Sequence, residues 1–233
     1  MMSVVSKAFV KSVESFGDDV KKFTLKVGKL ESFESGQFLQ LTLENFNGSG
    51  NWPESRAFSI ANYSNDQNEI ELIIKKVGAY TQLIFDELHV GTYCTIKYAY
   101  GDFLLPMFDQ EAKIHAIAGG TGLAPFLSFA QQLKAEFSTD NFHLYYSVSH
   151  AKEFVSLDLL SSILHQENLH LFCTREQVDY AFNRRIDIKD VLRNVQSIDA
   201  EYFYLCGSKS LISNFNQLLK DNGAKKIVFE DWS

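Results

Sequence analysis

The sequence predicts an α+β protein of two domains: an N-terminal antiparallel six-stranded Greek-key β-barrel, then a C-terminal α/β domain with a parallel, nucleotide-binding type of sheet. Three observations predict it. The hydrophobic pattern changes near residue 110, from short runs rich in Val, Ile, Phe, Leu and Thr to strands alternating with amphipathic helices. A glycine-rich turn, Ala118-Gly119-Gly120-Thr121-Gly122-Leu123-Ala124-Pro125, opens the second half between a strand and a helix. And 233 residues with 45% hydrophobic content can bury two modest cores. The boundary is expected near Pro106 to Glu111, giving domains of residues 1–108 and 109–233.

In the first half the expected strands are Val4 to Val13, Val20 to Val27, Gln37 to Leu43, Arg56 to Tyr63, Glu69 to Val77 and Thr92 to Tyr98. Gly17-Asp18-Asp19, Ser35-Gly36 and Asn47-Gly48-Ser49-Gly50-Asn51 separate them, because Gly, Asn and Asp accept the backbone conformations that reverse a chain. One short helix is expected around Tyr80 to Leu88. In the second half the strands are Lys113 to Ala118, Phe142 to Val148, His170 to Thr174, Tyr202 to Cys206 and Lys226 to Phe229. Helices over Leu123 to Phe137, Leu157 to His165 and Leu211 to Asn222 alternate with them. In the first of these helices Leu123, Phe126, Leu127, Ala130, Leu133 and Phe137 fall on one stripe, so it packs on a sheet. Pro125 suits its first turn, where no N–H is needed. No internal repeat or low-complexity tract interrupts the pattern.

A formal charge of −7 leaves no basic excess to neutralise nucleic-acid phosphates or an anionic membrane over a broad surface. Met1 to Val13 lacks the apolar stretch of a signal peptide, and no run of about 18 apolar residues follows, so a cytoplasmic protein is expected. Cys94, Cys173 and Cys206 are too few and too widely spaced for a disulfide framework or a four-thiolate iron–sulfur cluster. His165, His170 and Cys173 lie close in sequence, but they read as a helix end and an apolar strand, and no metal site is expected.

Two motifs carry chemistry. Arg56-Ala57-Phe58-Ser59 puts a cation, an aromatic face and a hydroxyl within four residues, which suits a phosphorylated, planar ligand. The same four residues also alternate as any half-buried strand does. The glycine turn at 118–125 can gather backbone N–H groups around a phosphate, or can be a tight strand-to-helix turn that needs glycine only for its φ freedom. It lacks the Lys-Ser/Thr ending of a P-loop and the spacing of the usual dinucleotide fingerprint.

Taken in order, the motifs resemble the ferredoxin-NADP reductase and NAD(P)H-flavin oxidoreductase family. Arg56-Ala57-Phe58-Ser59 is similar to its R-x-[YF]-S flavin motif, Gly36-Gln37-Phe38 to its upstream G-Q-[YF], and Gly78-Ala79-Tyr80-Thr81 to its G-x-x-[ST] pyrophosphate loop. Gly119-Gly120-Thr121-Gly122 resembles its nicotinamide-nucleotide loop, Tyr204-Leu205-Cys206-Gly207 its C-G motif, and Glu230-Asp231-Trp232 its closing E-x-aromatic. The likeness covers nearly the whole chain.

The resemblance implies FAD on the barrel and NADPH or NADH on the α/β domain, with flavin and nicotinamide meeting in a cleft. It implies that Arg56 neutralises the FAD pyrophosphate and that Phe58 lies against the isoalloxazine, with Ala57 beside it and Ser59 near flavin N5. Ile73, Ile74 and Lys75 would give backbone contacts, Gly78, Ala79, Tyr80 and Thr81 would close on the pyrophosphate, and Trp232 would cover the outer flavin face. On the nicotinamide side it implies Gly119, Gly120, Thr121, Gly122 and Pro125 around the dinucleotide, with Cys206 and Gly207 bordering the nicotinamide and Glu230 orienting it or relaying a proton. Ser59, Cys206 and Glu230 are thereby the catalytic candidates; for Cys206 a buried core position is the alternative.

Cofactor preference rests on fewer residues. Ser147-Val148-Ser149-His150 offers hydroxyls and a His after the second α/β strand where NADPH-using members tend to place Arg, whereas Arg175 and the pair Arg184-Arg185 sit where members carry phosphate-binding arginines. The balance leans to NADPH, and a solvated basic patch is the alternative. Without cluster ligands of its own, the chain is expected to reduce ferredoxin, flavodoxin or free flavin. An electron-transfer subunit of a larger oxygenase or reductase complex is the second reading, and a binding module that kept the fold without the chemistry is the third.

Overall fold

The computed structural model describes residues 3–63, 67–106, 109 and 111–230. The chain divides into two compact units, Met1–Leu104 and Leu105–Ser233.

In the first unit six antiparallel strands alternate inward apolar residues with outward polar ones, so each strand has one face to bury. They are β1 (Val4–Phe16), β2 (Val20–Val27), β3 (Phe38–Thr42), β4 (Arg56–Ser59), β5 (Glu69–Lys75) and β6 (Tyr93–Tyr100), in the order β4-β3-β6-β1-β2-β5. The ends of that order meet: Ile60 bridges Leu72, and the Ala61 N–H donates to the Glu71 carbonyl at 2.8 Å, so the barrel closes. Its core holds Ala8 and Val10, Phe23, Leu25 and Val27, Leu39 and Leu41, Ile70, Leu72 and Ile74, and Ile96 and Tyr98. Helix α1 (Ala79–Glu87) buries Ile84 and Phe85 against that core. Each such side chain contributes about 2 kcal/mol of burial.

The expected strands are present with altered ends. β1 runs past Val13 to Phe16, because the β1–β2 hairpin keeps pairing up to Phe16 opposite Val20 and turns on Gly17, at φ +72°. β4 is only four residues long, and Ile60 persists beyond it as the isolated bridge that closes the barrel.

The second unit is a parallel sheet of β7 (Ile114–Gly119), β8 (Phe142–Val148), β9 (Leu169–Cys173), β10 (Tyr202–Cys206) and β11 (Lys226–Phe229), ordered β11-β10-β7-β8-β9. Helices α2 (Ala124–Glu136), α3 (Leu157–Ile163), α4 (Ile188–Leu192) and α5 (Lys209–Asp221) connect them. The chain lays down β7, β8 and β9 in one direction and then crosses back to place β10 on the other side of β7. Between β7 and β10 the topology switches, and in such sheets ligands bind beyond the carboxyl ends of the strands at that point. Val191 of α4 and Ile212, Phe215 and Leu219 of α5 share a core with Ile117, Tyr145, Phe203 and Leu205 of the sheet.

α4 was not expected from the sequence. Five residues are too few to show a helical period. Its signal is local: Asp187 caps it by accepting the Lys189 N–H at 2.9 Å, and Asp190 accepts the Asp187 N–H at 2.8 Å.

Candidate functional site

In the barrel unit β4 lies against β3 with Leu41 opposite Arg56, Leu39 opposite Phe58 and Phe38 opposite Ser59. Arg56 and Phe58 therefore share the face of the core residues Leu41 and Leu39, while Ala57 and Ser59 share the opposite one. Phe58 packs against the barrel core, and Ser59 is buried. Counting on from the Ile60–Leu72 bridge puts Phe58 level with Ile74, so the first motif and the Ile73-Ile74-Lys75 segment lie side by side along one seam.

After Lys75 the chain leaves the sheet and enters α1, whose first turn returns to Arg56. The Arg56 guanidinium sits 4.5 Å from the centroid of the Tyr80 ring. Its Nη2 donates to Glu54 Oε1 at 3.0 Å and its Nη1 to the Ser55 carbonyl at 2.8 Å. The Tyr80 hydroxyl in turn donates to the Glu54 carbonyl at 2.9 Å. A cation is thus fixed over an aromatic ring at the positive end of a helix dipole.

Thr81 Oγ1 accepts the N–H groups of Val77 (2.9 Å) and Gly78 (3.0 Å), which tightens the entry to α1, and no side chain caps the amides of the first turn. Gly78 has extended backbone, φ −164°, and a Cβ built there would meet nothing within 4 Å. Neither backbone conformation nor a protein neighbour demands glycine at 78. The room it leaves lies beside uncapped amides and an arginine, and those donors fit a pyrophosphate.

Two features of this site are not legible in the motifs. Tyr100 stacks on Phe38 with centroids 5.5 Å apart, placing a second ring near Ser59, and only the β3–β6 register reveals it. Glu54 precedes Arg56 by two residues and supplies the anion that holds the guanidinium.

The α/β site is built from backbone. A Cβ on Gly122 would lie 2.3 Å from the Cys206 carbonyl oxygen and 2.7 Å from the Gly207 nitrogen. Gly207, at φ +154°, would bring its own Cβ to 3.0 Å from the Gly119 nitrogen. The turns after β7 and β10 therefore touch backbone to backbone, which requires glycine on both sides. Gly120 differs: at φ +55° a Cβ there would meet nothing within 4 Å, so it borders open space at the entry to α2. Among the described residues no side chain caps α2, and Pro125 stands in its first turn as expected. Thr121 is half-buried between them, and Cys206 is buried at the end of β10. The Glu230 N–H reaches the Leu205 carbonyl at 3.5 Å, which sets Glu230 beside Cys206. Trp232 lies outside the described residues.

The arginines part company. Arg175 is exposed just after β9, with its N–H donating to the Ser149 carbonyl at 3.0 Å. Arg184 is bidentate to Asp190 at 2.6 and 2.7 Å and lies over the rings of Phe172 and Phe182. That guanidinium holds the Asp190 carboxyl below its ordinary range and is committed to the fold around α4. Arg185, next to it, is exposed. Glu176 accepts the Ala151 N–H at 2.7 Å and pairs with His150 at 2.9 Å; these bonds hold its carboxyl below the usual range.

Comparisons with known proteins match the two halves of the chain in the same order. Residues 7–104 match the oxidoreductase FAD-binding domain family and residues 116–217 the oxidoreductase NAD-binding domain family. The alkene monooxygenase system ferredoxin–NAD(+) reductase component of Xanthobacter autotrophicus is 36% identical over 152 residues, covering 64% of this chain and 44% of that protein. The CDP-6-deoxy-L-threo-D-glycero-4-hexulose-3-dehydrase reductase of Yersinia pestis is 25% identical over 227 residues, covering 94% of this chain and 66% of that one. The first curated relatives are matched over 44% to 66% of their length. Among solved structures, a ferredoxin NADP+ reductase from Neisseria gonorrhoeae with bound FAD and NADP superposes with TM-score 0.79 at 22% identity, each chain covered fully. The FAD/NAD binding domain of a Vibrio cholerae nitric oxide dioxygenase gives 0.82 at 18% identity, with 97% of each chain covered. No helix among the described residues is long and apolar enough to cross a membrane.

Proposed function

Because this chain belongs to the oxidoreductases that join an FAD-binding domain to an NAD-binding domain, we propose that it takes hydride from NADPH or NADH onto FAD and passes the electrons to ferredoxin, flavodoxin or free flavin. The observation that carries this reading is Arg56, fixed over Tyr80 at the uncapped start of α1, beside the space at Gly78. When bound, FAD accepts a hydride and can release its two electrons singly, which joins a two-electron donor to a one-electron acceptor.

The chain's residues bind and orient. Arg56 would neutralise the pyrophosphate, the amides of Ala79, Tyr80 and Thr81 would donate to it, and Ile73, Ile74 and Lys75 would offer backbone along the seam. Phe58, on the Arg56 face of β4, would lie against the ring system, and from the opposite face Ala57 would stand beside it, with Ser59 at the end of the strand offering its hydroxyl near N5. In the α/β unit Gly119, Gly120, Thr121 and Gly122 let the dinucleotide approach the backbone at the start of α2, with Pro125 rigidifying that turn. Cys206 and Gly207 would border the nicotinamide, and Glu230 beside them would orient that ring or relay a proton. Rate comes from orientation of donor and acceptor, since the hydride itself needs no acid or base.

NADPH is the donor we favour. Arg175 and Arg185 are exposed cations beyond β9, whereas Arg184 is held by Asp190 and supports its neighbour. A second reading, an electron-transfer subunit of a larger oxygenase or reductase complex, is favoured by the relatives themselves, which include the reductase component of an alkene monooxygenase system. With three cysteines, these 233 residues cannot build a four-thiolate cluster, so a cluster-bearing acceptor would lie outside them. The acidic, cysteine-poor composition fits a cytoplasmic setting.

The test is an acceptor panel with both nicotinamides on purified protein. A yellow protein that reduces ferredoxin, flavodoxin or free flavin supports the reading, and one that stays colourless after refolding with excess FAD sinks it. Turnover only when an oxygenase partner is added would select the second reading.

A further inference from the structure

Five rings stand in a row across one face of the parallel sheet. Phe203 of β10 stacks on His115 of β7, with centroids 5.2 Å apart and planes 15° from parallel. His115 stacks on His143 of β8 at 5.2 Å and 11°, and His143 on His170 of β9 at 6.0 Å and 16°. Tyr145, two residues on from His143 along β8, stands beside these rings and stacks on His170 at 4.5 Å. Strand register dictates this, since Phe203 lies opposite His115, His115 opposite His143, and Tyr145 opposite His170. Phenylalanine at each position would bury similar area with no polar atom to satisfy. His143 Nδ1 is in fact buried with no hydrogen-bond partner among the described residues.

The row also ties down the segment that leads from α4 to β10. Asn194 Nδ2 donates to the Tyr145 hydroxyl at 2.8 Å and lies 3.4 Å from His170 Nε2. His115 Nε2 lies 2.7 Å from Glu201 Oε2, and Glu201 Oε1 accepts the N–H groups of Gln196 and Ser197, each at 2.8 Å. The charged groups around the row are few. Glu201 precedes β10, Asp190 on α4 is committed to Arg184, Glu167 precedes β9, and Lys113 before β7 adds repulsion, while α5 contributes Ile212, Phe215 and Leu219 to this face. Residues 1–104 contain a single histidine, His89, which is exposed.

We propose that this row is an acid-sensitive latch: proton uptake by the imidazoles frees the α4-to-β10 segment and loosens the Asp190–Arg184 pair on which Arg185 rests, weakening dinucleotide binding while the flavin site of the barrel unit stays intact. The proposal rests on the dinucleotide reading of the second unit. Burial holds His115 and His170 down at about 4 and His143 below its ordinary 6.5. Such groups take up protons in the opened chain before the folded one. Their contribution is whole above about pH 6.5 and is lost as pH falls toward about 4.

The experiment titrates the holoprotein with NADP+ and with NAD+ between pH 7.5 and 5, following flavin absorbance, and measures amide protection at Gln196 and Ser197 on the same samples. We expect the dinucleotide Kd to rise about tenfold, protection at both amides to fall in parallel, and flavin to stay bound. His143→Phe keeps a ring in the row and removes its proton site, so the transition should move about half a pH unit lower and become less steep. His170→Gln serves the same purpose if that variant does not fold. Simultaneous loss of flavin, or an unchanged profile in the variants, overturns the latch. Failure to bind either dinucleotide at any pH would instead remove the proposed function. The amide protection would then decide the latch by itself.

Discussion

The two sites are made of different material. The barrel site is assembled from side chains: a guanidinium over a phenol ring, a carboxylate that holds it, a hydroxyl that gathers two amides. The α/β site is assembled from backbone, two turns touching where any side chain would collide. A side-chain site can lose one member and keep its shape, so its defects should be graded. A backbone contact either fits or shifts both turns at once, so its defects should be abrupt and should respond little to the chemistry of the new residue.

The largest expected effect follows from that contrast. Gly122→Ala places a carbon 2.3 Å from the Cys206 carbonyl oxygen, and no flexible side-chain end is there to give way. Moving the turns should cost about 3 kcal/mol or more, the upper range for overpacking, and weaken dinucleotide binding by about two decades. Gly120→Ala meets no neighbour, so it should lose only what its positive φ costs, about 1 kcal/mol, plus whatever contact the ligand makes there. Dinucleotide titration of both variants, with flavin absorbance as the control for the barrel, checks the order. Equal losses would show that the loop is shaped by the ligand and not by the neighbouring turn.

The same contrast explains how far the sequence could be read. The barrel and the parallel sheet were legible because alternation with period two and stripes near period 3.6 run through most of their elements. Motif order put Arg56, Gly78 and the glycine turn forward as candidates, and the structure brings Arg56 to the start of α1, over Tyr80. What escaped depends on pairs distant in sequence. Tyr100 meets Phe38 only through strand register, the contact between Gly122 and Cys206 joins residues 84 positions apart, and α4 is shorter than two turns. The role of Arg184 was hidden for the same reason in miniature, because Asp190 becomes its partner only once α4 is formed.

Arg56→Ala probes the graded site. Losing a charge-assisted contact to phosphate should cost about 1.5 to 3 kcal/mol, one to two decades in FAD affinity, with dinucleotide binding to the second unit unchanged. Arg56→Lys should recover part of it, since the charge remains while the planar fork over Tyr80 is lost. Flavin dissociation constants for the three proteins test this. A lysine variant no better than alanine would mean that geometry, not charge, sets the affinity.

Arg184→Ala asks whether the α/β unit also depends on a charged side chain. Asp190 would remain buried without its bidentate partner, so the unit should lose about 1 to 2 kcal/mol of stability, with dinucleotide affinity changed by less than about threefold. The sign of the pH dependence is fixed by the pair. Arg184 holds the Asp190 carboxyl below its ordinary value, so its stabilisation is present above that value and is lost as pH falls through the lowered one. The gap between wild type and variant should therefore close in acid. Thermal unfolding at pH 7 and pH 3 measures it, and a large affinity loss with unchanged stability would move Arg184 from the fold to the ligand.

Tyr80→Leu should have the smallest effect and is the sharpest test of a side-chain site. Leucine keeps an apolar contact with the barrel core but removes both the ring beneath the Arg56 guanidinium and the hydroxyl that donates to the Glu54 carbonyl. A cation over an aromatic face at a partly exposed position is worth about 0.5 to 1 kcal/mol, so FAD affinity should fall about twofold to fivefold. Tyr80→Phe keeps the ring and should lose less than half of that. Made in an Arg56→Ala background, Tyr80→Leu should have almost no further effect, because the guanidinium it supports is already gone. Full additivity of the two losses would show that Tyr80 meets the ligand itself and is not a support for Arg56.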